Sequence, residues 1–338
     1  MTSARSKGAA APRSRLAEEF PSYEAARQIY SVLVMHYQEG LKQSEIAELT
    51  KLSKVKVNRL IKQGREMGMV EMSIRSPFQS LFDLEARFRS ATDVEDVRIT
   101  PAASGDPETV LQQVGAAAAN LLLERINDGD TIAITGGKGV TSVIEGLAPE
   151  RAYDVKVVPA TGGVQGKHYT DVNHVAARMA EKLGGRAFQI HAPLFAETRE
   201  QREMLLAMRS VDEVLERARQ ADIAVMGIGS ILSMESSYYD LNPLSKDDQA
   251  ELGRVGAAGE LLAHLIDAEG ALCDYELNSR LVALTPRELQ NIPSSIAVAS
   301  GSNKVIPIGA AIRGGHIKAL VVDEATAEGA LETLGGEP

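Results

Sequence analysis

Tryptophan is absent from this 338-residue chain, and aromatic residues make up only 4% of it. A core built here must rest on Ala, Leu, Val and Ile, and at 44% hydrophobic content there is enough material for one. Cysteine occurs once, at Cys273, so no disulfide can form within the chain. That lack fits a reducing cytoplasm, which is the expected location. No apolar run reaches the roughly 18 residues of a membrane span. The opening MTSARSKGAAAPRSRLAEEF has no apolar centre of signal-peptide type and reads as a disordered basic arm over residues 1–20. The six histidines, at 36, 168, 174, 191, 264 and 316, have no metal-ligand spacing. Neither a metal nor another cofactor is expected.

What the chain does have is an uneven distribution of charge. Residues 1–75 hold 13 Lys or Arg against 8 Glu and no Asp, a net of +5, while the remainder holds 23 basic and 38 acidic residues, a net of −15. A basic head on an acidic body implies that the head alone meets a polyanion. A one-domain enzyme has little reason for such a split.

The head, residues 21–75, reads as helices over 23–38 and 43–50, a turn at Lys51 and Leu52, and a helix from an N-cap at Ser53 to about Glu66. Ile46 and Leu49 are expected to point inward, as are Val57, Leu60 and Ile61. The spacing of Ile46, Ala47, Leu52, Val57 and Leu60 is that of a helix-turn-helix. The turn often carries Gly where this chain has Lys51. MVEMSI, residues 69–74, alternates like a short strand and predicts a wing. A solvated charged helix is the plainer reading of the basic face alone. The two-helix spacing and the charge asymmetry favour double-stranded DNA as the partner. Ser53, Lys54 and Asn58, at the start of the second helix, are the expected base readers. Lys56, Arg59 and Lys62 are expected on phosphates.

Residues 76–93 predict an amphipathic linker helix carrying Phe78, Leu81, Phe82, Leu84 and Phe88. It needs an apolar partner, either the body or its own copy in a dimer, with the dimer preferred. From 94 to 338 short apolar runs alternate with helical stretches. Strands are expected over 94–99, 131–135, 155–160, 223–226, 296–299 and 319–322, and helices over 110–125, 174–183, 199–208 and 305–312. That alternation predicts an α/β body around a mainly parallel sheet.

Several of these strands run into glycine-rich turns: TIAITGGKGVTS, VVPATGG, AVMGIGS and AVASGSNK. Ligands bind at the carboxyl ends of parallel strands, where glycine lets backbone N–H groups approach an oxyanion. One such turn is weak, but four point to a shared small-molecule cleft. Thr141, Ser142, Thr161, Asn173, Asp274 and Lys304 are candidates to bind hydroxyls or a phosphate there. GKHYTDVNH, with His168 and His174, either lines the cleft or forms a surface loop. GGKGVTS is not a P-loop, because Gly139 follows Lys138, and GIGSIL lacks the third glycine of a dinucleotide fingerprint. No GxSxG motif is present. An isomerase or deaminase with an appended head is the rival reading, with Asp171, Asp274 and Glu276 as its available acids and bases.

From about Tyr23 onward the chain resembles the SorC family of bacterial sugar-responsive transcription regulators. In the head the resemblance rests on QSEIA, on L-S-K-x-x-V-x-R-L-I from Leu52 and on GMV. In the body it rests on GGKGVTSVIEGL, VVPATGGVQG, HAPLF, DIAVMGIGS, CDYELN and SGSNKVIPIGAAIRGGHIKALVVDEATA. It implies a winged helix-turn-helix head and a larger Rossmann-like sugar-binding body, related in fold to phosphosugar isomerases and deaminases. It also implies a homodimer or homotetramer whose operator affinity an effector changes. Together with the glycine turns, it places Gly136, Gly137, Lys138, Gly139, Thr141, Thr161, Gly162, Gly163, Asn173, Gly229, Asp274 and Lys304 at the effector. Lys138 stands where an aromatic is common, and Thr161 where several phosphosugar readers carry a basic residue. Sugar, polyol and sugar phosphate all stay open as effectors. No catalytic residue is expected. Repressor is the commoner expectation for the sign of control, and activator remains open.

Overall fold

The computed structural model describes residues 23–70, 78–101, 104–165, 170–231, 238 and 246–335. The chain divides into two compact units, with the boundary between Pro77 and Phe78.

The head contains α1 (Tyr23–Leu33), α2 (Gln43–Thr50) and α3 (Lys54–Glu66). The single helix expected over 23–38 instead changes to a π turn at Val34–Gln38. Ile29, Val32, Leu33, Ile46, Val57, Leu60 and Ile61 form the core. Leu49, expected inside, is 65% exposed, and Ile46 is the only buried residue of α2. Lys42 N–H donates to Glu45 at 2.6 Å and opens α2. Lys51 closes it in the left-handed region, at φ 58 and ψ 30, a conformation glycine adopts more cheaply. Ser53 Oγ accepts the Lys56 N–H at 3.2 Å and caps α3. A methyl on Gly64 would lie 2.6 Å from Leu33 Cδ1 and 2.8 Å from Ile29 Cγ2, so its missing side chain sets how closely α1 and α3 pack. Residues 71–74 of the expected wing lie outside the described residues, as do residues 1–22.

The body begins with α4 (Gln79–Ala91). Of the two partners expected for its apolar face, the body is the one that covers Leu81, Leu84 and Phe88. Glu85 Oε1 accepts the Ile99 N–H at 2.9 Å. Phe78 and Phe82 remain 52% exposed.

The main sheet contains β1 (Asp96–Thr100), β2 (Thr131–Ile134), β3 (Lys156–Pro159), β4 (Arg186–Ala187), β5 (Ile223–Gly227), β8 (Ser294–Ala299) and β9 (Ala319–Asp323). Its order is β1-β9-β8-β5-β2-β3-β4, and every neighbouring pair is parallel. β6 (Ala257–Leu261) and β7 (His264–Asp267) form a separate antiparallel hairpin. The helices are α5 (Pro107–Arg125), α6 (Lys138–Gly146), α7 (Val172–Leu183), α8 (Arg199–Ala207), α9 (Arg209–Arg219), α10 (Lys246–Arg254), α11 (Pro286–Leu289), α12 (Val305–Arg313) and α13 (Glu324–Gly335).

The strands alternate their side chains between two cores. Ile132 and Ile134 pack with α5, α6 and α7 on one face, while Ala133 packs with α4, α9, α12 and α13 on the other. Helices thus cover both faces, as a doubly wound parallel sheet requires. The chain leaves β2 toward β3 on one side and leaves β5 toward β8 on the other. The carboxyl ends of β2 and β5 therefore flank a topological switch point, where such sheets bind ligands.

Candidate effector cavity and DNA-facing helix

A cavity of about 840 Å³ lies at that switch point. Its walls come from the turns after β2, β3, β5, β8 and β9, from the start of α5, and from the β6–β7 hairpin. Residues from the first turns of α5, α6 and α13, and from the short 3-10 turn Ser302–Lys304 leading into α12, line it. Helix N-termini carry unpaired N–H groups and partial positive charge, so their convergence favours an anion or a cluster of oxygens. Gly137 enters α6 at φ +127, which a side chain would resist. At Gly162 an added methyl would meet the Pro193 carbonyl carbon at 2.6 Å.

The turn after β8 is held rigidly. Gly301 N–H donates to Thr326 Oγ1 at 2.9 Å and to Asp323 Oδ2 at 3.2 Å. Thr326 Oγ1 in turn donates to Asp323 Oδ2 at 2.7 Å, and Thr326 N–H to Asp323 Oδ1 at 3.0 Å. Asp323 thus caps α13 and fixes the cavity wall at once. Ser142 Oγ is occupied, donating to the Gly139 carbonyl at 2.7 Å. Thr141, one residue earlier, is buried against the cavity, and its Oγ1 has no hydrogen-bond partner among the described residues.

Two opposite charges face the cavity from its walls. Burial holds the half-buried Lys304 ammonium below the usual lysine range; the Glu260 carboxylate pushes it back up and Lys138 pushes it down. Burial likewise raises the Glu260 carboxyl above the usual glutamate range, against the Ala263 N–H that it accepts and the charge of Lys304. Glu260 sits on β6, and the hairpin turn beyond it is Leu262 at φ 55 and Ala263 at φ 65. Two adjacent non-glycine residues in the left-handed region are strained, by about 1–3 kcal/mol each. The Glu260 carboxylate bonds into that turn.

Of the residues assigned to the effector from sequence, the cavity gathers Gly136, Gly137, Lys138, Gly139, Thr141, Thr161, Gly162, Gly229 and Lys304. Three lie elsewhere. Gly163 pairs through its backbone with Ala192 and Leu194. Asn173 clamps one peptide, with Oδ1 accepting the Ile190 N–H at 2.9 Å and Nδ2 donating to the Ile190 carbonyl at 3.0 Å. Its amide is used structurally. Asp274 is exposed and does not line the cavity. The other carboxylates of the enzyme reading are equally distant in role: Asp171 caps α7, and Glu276 is an exposed neighbour of Arg280. His174 is exposed outside the cavity, and His168 lies outside the described residues. Sequence reasoning missed Glu260, Asp323 and Thr326. A signal for Glu260 was present, since it is the lone carboxylate in the run AAGELLAHLI.

In the head, Ser53, Lys54, Lys56, Asn58, Arg59 and Lys62 are all exposed on α3. The Ser53 hydroxyl oxygen is engaged in the cap, so toward an external partner it acts best as a donor. Lys62 lies 3.7 Å from Glu66, an exposed pair one helical turn apart. Val55 was not singled out in the sequence, yet it is 81% exposed. No helix among the described residues is long and apolar enough to cross a membrane.

The sugar-binding domain family model matches residues 76–332. Over 310 residues the chain is 30% identical to the transcriptional regulator LsrR of Escherichia coli O9:H4 (strain HS), covering 90% of this chain and 95% of that one. LsrR of Enterobacter sp. (strain 638) is 30% identical over 303 residues, with coverages of 89% and 91%. The full-length sorbitol operon regulator SorC from Klebsiella pneumoniae shares the fold, with a TM-score of 0.70, 24% identity, and 92% of this chain and 100% of that one covered. A transcriptional regulator from Streptococcus pneumoniae TIGR4 also reaches 0.70, at 27% identity, covering 76% and 99%. The relatives place the chain among regulators rather than isomerases or deaminases, with DNA and a sugar-type effector as its partners. A sugar-binding family model over residues 76–332, together with 30% identity to a transcriptional regulator across 90% of the chain, identifies the chain as a member of the SorC family of sugar-binding transcriptional regulators.

Proposed function

We propose that this chain represses a carbohydrate catabolic operon in the cytoplasm, binding operator DNA as a homodimer or homotetramer and releasing it when an effector fills the body's cavity. The observation that carries the reading is the 840 Å³ cavity at the switch point, walled by helix N-termini, in a chain that also exposes the basic face of α3. Ser53, Lys54 and Asn58 meet base edges, and Lys56, Arg59 and Lys62 hold phosphates. Lys138 and Lys304 hold the phosphate where the effector carries one. The Thr141 hydroxyl, Thr161 and the Glu260 carboxylate take sugar hydroxyls. The effector is a sugar, a polyol or a sugar phosphate. By closing the cavity it biases the arrangement of subunits, and with it the spacing of paired α3 helices over two half-sites.

A thermal-shift screen of the full chain against neutral sugars, polyols and their phosphate esters tests this. A ligand at a hundred times its Kd stabilises the folded chain by about 2.7 kcal/mol, a rise on the order of 5 °C or more. A phosphate-ester hit must lose its shift in Lys304→Ala. A neutral hit must lose it in Glu260→Ala and survive Lys304→Ala. A screen with no hit in either class, or turnover of a hit by the purified chain, refutes the proposal.

A further inference from the structure

Val55 is the second residue of α3, and no large hydrophobic residue among the described ones is more exposed. Burial on this helix runs along Val57, Leu60, Ile61 and Gly64. Helical spacing puts Val55, Arg59, Lys62 and Glu66 on the opposite line, facing directly away from the head's core. Val55 therefore sits where α3 meets whatever the head binds.

Nothing among the described residues of the head accounts for a valine there. A β-branched side chain lowers helix propensity, and Ala, Lys or Glu would serve an exposed first turn better. Its apolar surface is left to water. The charges around it narrow the choice of occupant. Lys54, Lys56, Arg59 and Lys62 are exposed on the same helix and surround it on successive turns. The occupant carries negative charge at its rim and an apolar group at its centre. In the DNA major groove the apolar feature is the C5-methyl of thymine, set between two rows of phosphates. Double-stranded RNA lacks that methyl, and its deep, narrow major groove cannot be read by side chains.

We infer that Val55 reads a thymine methyl in each operator half-site, beside the base contacted from the next turn by Asn58. This rests on the reading that α3 enters the major groove. It adds a specificity-determining residue that works by shape and hydrophobicity, among neighbours that work by charge.

The test uses the full chain and starts from random DNA rather than from a chosen operator. Duplexes enriched from a random library by the wild-type chain define the site. Each thymine is then replaced by uracil, which removes only the methyl. Wild type loses about fourfold in affinity per half-site at one thymine, as expected for leaving one methyl group in water. Val55→Ala binds the thymine and uracil duplexes equally at that position and keeps its preferences elsewhere. Val55→Thr, which retains a methyl, keeps part of the discrimination. Uracil tolerated at every position, a penalty that persists in Val55→Ala, or a drop in assembly mass of Val55→Ala by sedimentation each overturn the inference. Failure of the library to enrich any sequence removes the DNA-reading role of α3 and this inference with it.

Discussion

Gly229→Ala, studied with and without Glu260, probes the joint between the turn after β5 and the β6–β7 hairpin. The two residues exchange backbone hydrogen bonds, Gly229 N–H to the Glu260 carbonyl at 2.8 Å and Glu260 N–H to the Gly229 carbonyl at 3.0 Å. A methyl on Gly229 would land on Glu260 Oε2 and lie 2.9 Å from its Cβ and Cδ. The carboxylate must swing away and give up the Ala263 N–H. A lost hydrogen bond to a charged group costs about 1.5–3 kcal/mol, and residual crowding about another 1 kcal/mol. Gly229→Ala alone should therefore destabilise the body by about 3 kcal/mol. In a Glu260→Ala background the Ala263 bond is already gone and only the Cβ contact remains, so the same methyl costs about 1 kcal/mol. The coupling is then about 2 kcal/mol, within the range for directly contacting residues. Urea unfolding of the full chain, followed by far-UV circular dichroism, gives the four midpoints. Costs that add to within about 0.5 kcal/mol would refute the claim that Gly229 is glycine in order to admit the Glu260 carboxylate.

Two further variants follow from the same reasoning. Glu260→Gln keeps an acceptor for Ala263 and removes a buried charge. Because burial raises the folded-state carboxyl above its unfolded value, the wild type binds the proton more tightly when folded. Its stability therefore falls as pH rises from the unfolded carboxylate range through the folded one. The variant should melt like wild type in acid and up to a few degrees higher at neutral pH without effector, an effect on the order of 1 kcal/mol; equal melting curves across pH would count against the buried carboxylate. Lys51→Gly relieves a left-handed residue worth about 1–2 kcal/mol but adds unfolded-state entropy of about 0.5–1 kcal/mol. Calorimetry of the full chain should show the head's transition rising by a few degrees, and a fall would mean that the Lys51 side chain makes a contact worth more than the strain.

Regular elements were legible where local chemistry and tertiary need agree. α2 and α3 have the limits the caps and apolar spacing predicted, because Ser53 and the buried Val57, Leu60 and Ile61 act locally. Strands β2, β5, β8 and β9 were found because fully buried parallel strands read as short apolar runs. The β6–β7 hairpin was not found. Its turn uses Leu262 and Ala263 at positive φ, where Gly, Asn or Asp is the usual signal. Missing the hairpin meant missing Glu260, since a carboxylate's role there depends on a turn that propensity does not announce. Asn173 and Asp274 failed to join the cavity for different reasons. The Asn173 amide, on α7, is satisfied by the Ile190 peptide beyond β4, a fate that side-chain type cannot reveal, and Asp274 faces solvent. Leu49 shows the limit of periodicity on a two-turn helix, where one face can be left open for a neighbour.

The separation of strand and turn has a consequence for altering this molecule. β2, β5, β8 and β9 are almost wholly buried, and many of the residues that touch the cavity lie just beyond their ends. The sheet is thus a chassis, and the turns that cap it are exchangeable parts. Substitutions at Thr161, Ser300 or Asn303 meet the cavity without changing the volume of either core. A library confined to those turns can retune which small molecule is sensed while folding stays nearly constant, which makes the body a natural starting point for building a metabolite reporter.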